Sequence, residues 1–182
     1  NTLATPYLMR PIKHGADINF PAETGILPLH YALLDRHADI AKFLINSGSD
    51  VNANANEFSF GTPLFLAAAR QYEDVVELLL RRGANPRAIN IQRKQTPLHV
   101  ARNPVIIRRL IEAGADLMVR DGHGQLAVAT AASGRDSVAI ELLNNVSPSA
   151  SLLYEMIING GTVGVPCMPA LIDNFIARGV DI

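Results

Sequence analysis

Tryptophan is absent, Cys167 is the only cysteine, and aromatic residues fill 5% of the 182 positions. A lone cysteine makes no internal disulfide, which excludes a cross-linked secreted scaffold and fits a reducing compartment. The expectation is an intracellular protein, cytoplasmic or nuclear. So few aromatics exclude a core built around large rings. No run approaches the roughly 18 uninterrupted apolar residues of a membrane-spanning helix, so no membrane partner is expected. Neither sign of charge dominates, with 16 Lys and Arg against 17 Asp and Glu and a formal net charge of −1. That is a poor footprint for nucleic acid, whose binding leans on clustered cations. Arg81, Arg82, Arg87, Arg93 and Lys94 form only a modest group around one turn. Hydrophobic residues nonetheless reach 48%, and Ala, Leu and Ile do the packing, as in thin helical layers.

What is present is a period. Gly15, Gly48, Gly83, Gly114 and Gly179 each end an apolar stretch and begin a short polar turn, at steps of 33, 35, 31 and 65 residues. The last step is two periods with one marker worn away near Val146-Ser147. A fixed period of about 33 residues means one supersecondary unit stacked on copies of itself. A second marker lies between the glycines. Thr62-Pro63-Leu64-Phe65-Leu66-Ala67 and Thr96-Pro97-Leu98-His99-Val100-Ala101 are its clearest copies. Leu27-Pro28-Leu29-His30-Tyr31-Ala32 is a close third, and Leu126-Ala127-Val128-Ala129-Thr130-Ala131 a worn fourth. Pro at the first helical position presets φ and gives up no useful hydrogen bond. The preceding Thr caps free N–H groups, and the small Ala lets layers approach. A second helix follows in each unit, carrying broad apolar stripes such as Ile40 to Ile45 and Val75 to Leu80. The glycine then supplies its left-handed C-cap.

Helix, turn, helix and a Gly-Ala-Asp-type turn, at this period and with Thr-Pro-Leu-His, resembles the ankyrin repeat. The match is specific from about Gly15 to Val146 and weak from Ser147 to Ile182. The resemblance implies an all-α solenoid of stacked helix-turn-helix units with projecting β-hairpin turns. We divide it into a partial repeat at 1–19, full repeats at 20–52, 53–87, 88–119 and 120–147, and a degenerate repeat at 148–182. The chain opens at Asn1 without Met or leader and stops at Ile182 where another turn would begin, so a piece of a longer protein is expected. Three departures stand out. Phe65 takes the usual His position. The third repeat is three residues short between Ala101 and Leu110, with Asn103-Pro104 starting its second helix early. The hairpin before Thr62 is two residues longer than the one before Leu27.

Chemistry is sparse. The resemblance gives His30 and His99 a hydrogen-bonding role between a first helix and the neighbouring hairpin. A shared metal is excluded, because stacked helices lie on the order of 10 Å apart and metal–nitrogen bonds span roughly 2 Å. His14, His37 and His123 have no acidic or sulfur partners at ligand spacing, and Cys167 reads as packing. No catalytic group, metal or cofactor is expected. Lys42, Glu77, Arg108 and Glu141 fall at matching places on successive second helices, an alternating row with a solvated outer face. The segment Leu44 to Asn52 is similar to those that asparaginyl hydroxylases modify in ankyrin proteins. The simpler account gives Asn52 a local hydrogen-bonding role in its hairpin.

In the family, hairpin tips and first helices form the concave binding face. Here they would present Phe20, Glu57, Phe58, Phe60, Arg93 and Lys94, with Glu23 and Ile91, from the tips. The first helices would add Tyr31, Asp35, Arg70, Tyr72 and Arg102. Exposed aromatics and arginines are residue types that dominate interface energetics, and Phe58 at the tip of the longer hairpin has the best case. Phe58 or Phe60 could instead fold back on the next hairpin, Asp35 could pair with Arg70, and Tyr72 could be half-buried. The expected function is a non-enzymatic module binding a partner protein or peptide. The alternative is a structural or oligomerisation spacer whose face packs against other parts of its own polypeptide. A small-molecule groove lined by Asp35, Arg70, Tyr72 and Arg102 is a third reading, without an acid–base or nucleophile arrangement to support it.

Overall fold

A computed structural model describes residues 17–21, 26–55 and 60–127, with isolated positions 130, 173, 176, 177 and 179. Within it the repeating motif becomes three helix pairs. The first pair is α1 (Pro28–Leu34) and α2 (Ala38–Asn46), the second α3 (Pro63–Ala69) and α4 (Glu73–Arg81), the third α5 (Pro97–Val100) and α6 (Pro104–Glu112). Each first helix starts on its proline, as preset φ requires. Thr62 Oγ1 accepts the Phe65 N–H at 3.3 Å. In the short third repeat α5 has only four residues. Asn103 caps α6 there by accepting the Val105 N–H at 2.9 Å, so the early start of that helix is real.

Second helices end alike. Gly48, Gly83 and Gly114 have φ of 95°, 82° and 90°, and the residue after each donates its N–H back to Leu44, Leu79 or Leu110. That is the Schellman closure, which satisfies carbonyls a helix end leaves open. Gly179 carries the same mark far along the chain, with φ of 79° and its N–H on the Ile176 oxygen. Among the described residues the turns that follow each second helix hold isolated antiparallel bridges, Ala55 to Gly61, Asn90 to Gln95 and Arg120 to Leu126.

Two layers result. First helices pack on first helices (α1 on α3, α3 on α5), and second helices on second helices (α2 on α4, α4 on α6). The core runs continuously between them through Leu29, Leu33, Leu44, Leu64, Leu79, Leu98 and Leu110, all 2% exposed or less. Each such side chain contributes roughly 1.5–3 kcal/mol by leaving water. The motif alanines Ala32, Ala67 and Ala101 are buried at the seam, where a larger side chain would push the layers apart.

Polar ties then lock one repeat to the next. His30 Nε2 reaches the Gly61 oxygen at 3.2 Å, and His99 Nε2 the Gln125 oxygen at 3.3 Å. The carbonyl bond makes Nε2 the protonated nitrogen in each ring. Burial pushes both imidazoles below their ordinary pKa. Asn19 Oδ1 accepts the Asp50 N–H, and one period later Asn52 Oδ1 accepts the Asn85 N–H, both at 2.8 Å. Asn52 also donates to the Gly83 oxygen at 3.0 Å. Arg82 completes the series by donating to the Ile45 oxygen at 2.9 Å, at the exposed end of α2.

The expected alternating row of charge is offset. Lys42 pairs with Asp74 at 2.8 Å rather than with Glu77, and Glu77 meets Arg109 at 2.9 Å and Arg81. Each cation takes the carboxylate that the helix stagger brings nearest. The stagger between layers is not written in the spacing.

Candidate functional surface

First helices and hairpins meet through His30 on the Gly61 oxygen and His99 on the Gln125 oxygen. Of the candidate contact residues on these elements, Phe20 is 71% exposed and Tyr31 38%, and Asp35, Arg93, Lys94 and Arg102 are exposed as well. Glu57 and Phe58 lie outside the described residues, as do Glu23 and Glu141. Phe60 is half-buried and packs on the core, as is Tyr72. Arg70 is half-buried too, and its guanidinium donates to the Leu34 oxygen at 3.1 Å rather than pairing with Asp35.

The third hairpin is tightly organised. Asn90 is buried and its Oδ1 accepts the N–H of Gln92 and Arg93, each at 3.1 Å. Gly122 donates its N–H to the Arg93 oxygen at 2.7 Å, stitching this tip to the next hairpin. A Cβ at Gly122 would come within 3.0 Å of that oxygen, so the close approach needs glycine. Gln95 Nε2 adds a bond to Asp121 Oδ2 at 3.2 Å. Burial alone would raise the Asp121 pKa, but N–H groups of Gln125 and His123 outweigh it and hold the carboxyl below its usual range.

Two features of this surface escaped the sequence reading. Ile89 is 45% exposed beside the buried Asn90, and the apolar–polar–apolar run Ile89-Asn90-Ile91 was the available signal. Gln71 has φ of 61°. Its amide donates to the Ala68 and Val100 oxygens and its Oε1 accepts the N–H of Arg102 and Asn103. It thus stands in for the turn of helix that the third repeat lacks. No local pattern marks it.

A groove of about 280 Å³ beside α2 and α4 is lined by Lys42, Gln71, Tyr72, Glu73 and Asp74, with Lys42 and Asp74 already paired. Among the described residues no three His, Cys, Asp or Glu side chains are placed to hold a metal ion. None of the described helices is long and apolar enough to cross a membrane.

Comparison with known proteins agrees with this architecture. The family model for ankyrin repeats (3 copies) matches residues 5–90 and 64–151. The chain belongs to the ankyrin-repeat family. This ankyrin array is 44% identical over 91 residues to XBAT35 of Arabidopsis thaliana, named as a candidate E3 ubiquitin-protein ligase, covering 50% of the chain and 20% of that protein. It is 35% identical over 150 residues to Rabankyrin-5 of Mus musculus, covering 72% of the chain and 13% of the relative. Ankyrin repeat and SOCS box protein 16 of Homo sapiens is 37% identical over 115 residues, 58% of the chain and 25% of that protein. The array thus spans a quarter or less of each of these relatives. Ankyrin repeats are generally protein–protein interaction modules, and the family is generally non-enzymatic.

Proposed function

We propose that this chain is a non-enzymatic recognition module that docks a partner protein or peptide on the concave face formed by hairpin tips and first helices. One observation carries the reading. Among the described residues of 17–127 the two most exposed large hydrophobics, Phe20 at 71% and Ile91 at 57%, both lie in the turns between helix pairs. Neither has a folding role that requires such exposure, and covering them with a partner removes apolar surface from water. On the second helices, by contrast, charges are paired between layers, Lys42 with Asp74 and Glu77 with Arg109. The ties between repeats hold the face rigid before contact, so little ordering entropy is lost on binding.

The test begins with affinity capture from the source organism and identification of the bound protein by mass spectrometry. Phe20→Ser, Tyr31→Ala and Arg102→Ala are then compared in binding titrations and thermal melts. At least one should weaken binding by about tenfold, the loss common at interface anchors, with the melt unmoved. Asn52→Ala should do the reverse, because its side chain bridges repeats. Melting losses with affinity unchanged for all three face variants would sink the reading.

A further inference from the structure

We infer that the third hairpin, from Arg87 to Gln95, is a docking tip for an acidic segment of a partner protein in which carboxylates alternate with apolar side chains. The inference rests on the recognition role proposed above and names the chemistry of what is recognised.

Charge is the first argument. From Gly83 to Thr96 the chain carries Arg87, Arg93 and Lys94 and not one carboxylate. Arg87 is occupied, its Nε donating to the Gly114 oxygen at 2.6 Å. Arg93 and Lys94 are exposed, and neither is among the ion pairs of the described residues. The following hairpin does not neutralise them. Its carboxylate, Asp121, is buried and spent on the N–H groups of His123 and Gln125 and on the Gln95 amide. Two neighbouring cations without an ion-pair partner among the described residues attract a partner's carboxylates, which fix register and speed encounter.

Apolar surface is the second argument. Ile89 and Ile91, 45% and 57% exposed, flank the buried Asn90, so the inward turn of that one residue leaves both in solvent. Both β-branched chains are held in water beside the cations. A nucleic acid would use the same cations, but it gains most from aromatic rings on which bases stack. This tip has none, which favours a protein segment. Rigidity is the third argument. The Asn90 side chain, the Asn90 to Gln95 pairing and the Gly122 bond to Arg93 set the tip's shape in advance.

The intact chain is titrated by fluorescence anisotropy into three labelled probes. They are a short peptide alternating Glu and Leu, the same peptide with Lys for Glu, and an oligothymidine strand. The Glu–Leu peptide should bind most tightly and weaken as salt rises. Arg93→Glu with Lys94→Glu should weaken it about tenfold and turn preference toward the Lys–Leu peptide. Ile91→Ser should weaken it with the thermal melt unchanged; Arg93→Gln with Lys94→Gln serves if charge reversal lowers the melt. Failure of the Glu–Leu peptide to bind, equal binding to the variants, or tighter binding of the oligonucleotide overturns the assignment. The two readings fail separately. A captured partner released by Tyr31→Ala or Arg102→Ala but retained by the hairpin variants leaves the recognition role standing and removes this tip from it.

Discussion

His99 Nδ1 accepts the Thr96 N–H at 3.0 Å and lies 2.9 Å from the Thr96 hydroxyl. The same nitrogen of His30, three residues after Leu27, is buried without a hydrogen-bond partner. In the third repeat the side chain at the third helical position thus reaches back to the cap, and in the first it has no hydroxyl to meet. Leu27→Thr should therefore stabilise the array by about 0.5–1 kcal/mol, the scale of a recovered cap bond. Thr96→Val should cost a similar amount. Urea titration of both variants checks this, and a loss of stability in Leu27→Thr would contradict it.

Acid should weaken the fold in a defined window. Burial depresses His30 and His99 below the ordinary imidazole value of 6.5. Between that value and each lowered folded value, the unfolded chain binds a proton that the folded chain refuses. Their contribution is thus complete above pH 6.5 and lost as pH falls from there to the folded values. The slope is at most about 1.4 kcal/mol per pH unit for each ring. His30→Phe, copying Phe65 at the matching place, should flatten the slope of urea midpoints below pH 6.5. An unchanged slope would remove His30 from the effect.

Arg36 and Gln71 occupy matching loop positions with φ of 64° and 61°, a region costing most residues roughly 1–2 kcal/mol. Their side chains differ in what they return. Arg36 is exposed, so Arg36→Gly should stabilise by about 0.5–1 kcal/mol through relief of strain. Gln71 holds the Arg102 and Asn103 N–H groups at 3.0 and 2.8 Å. Gln71→Gly should gain nothing, and Gln71→Ala should lose about 2 kcal/mol because strain persists while the bonds vanish. Thermal melts of the three variants decide, and equal effects of glycine at the two sites would refute the bracing role of Gln71.

Much of the architecture was legible before any coordinates. Pro63, Pro97 and Pro104 start helices, Asn103 caps the early second helix, and Gly48, Gly83 and Gly114 end theirs, because each acts through its own backbone within a few residues. His30 and His99 were rightly assigned to hairpin contacts, although only by likeness to the family. The surface was less legible. Phe60 and Arg70 have the composition of contact residues, yet one packs on the core and the other reaches the Leu34 oxygen. Ile89 went unnamed among the tip residues, and its exposure follows from the burial of Asn90 beside it.

The order of residues by itself determined the period, the helix pairs and the shared core, since these follow from short-range backbone preference and the spacing of apolar side chains. Only the tertiary structure decided that Lys42 meets Asp74, that Gln71 braces the shortened repeat, and that Arg93 and Lys94 take no ion-pair partner among the described residues. Those outcomes depend on the stagger of one layer against the next. That stagger is chosen by the packing of the whole stack, and no single repeat encodes it.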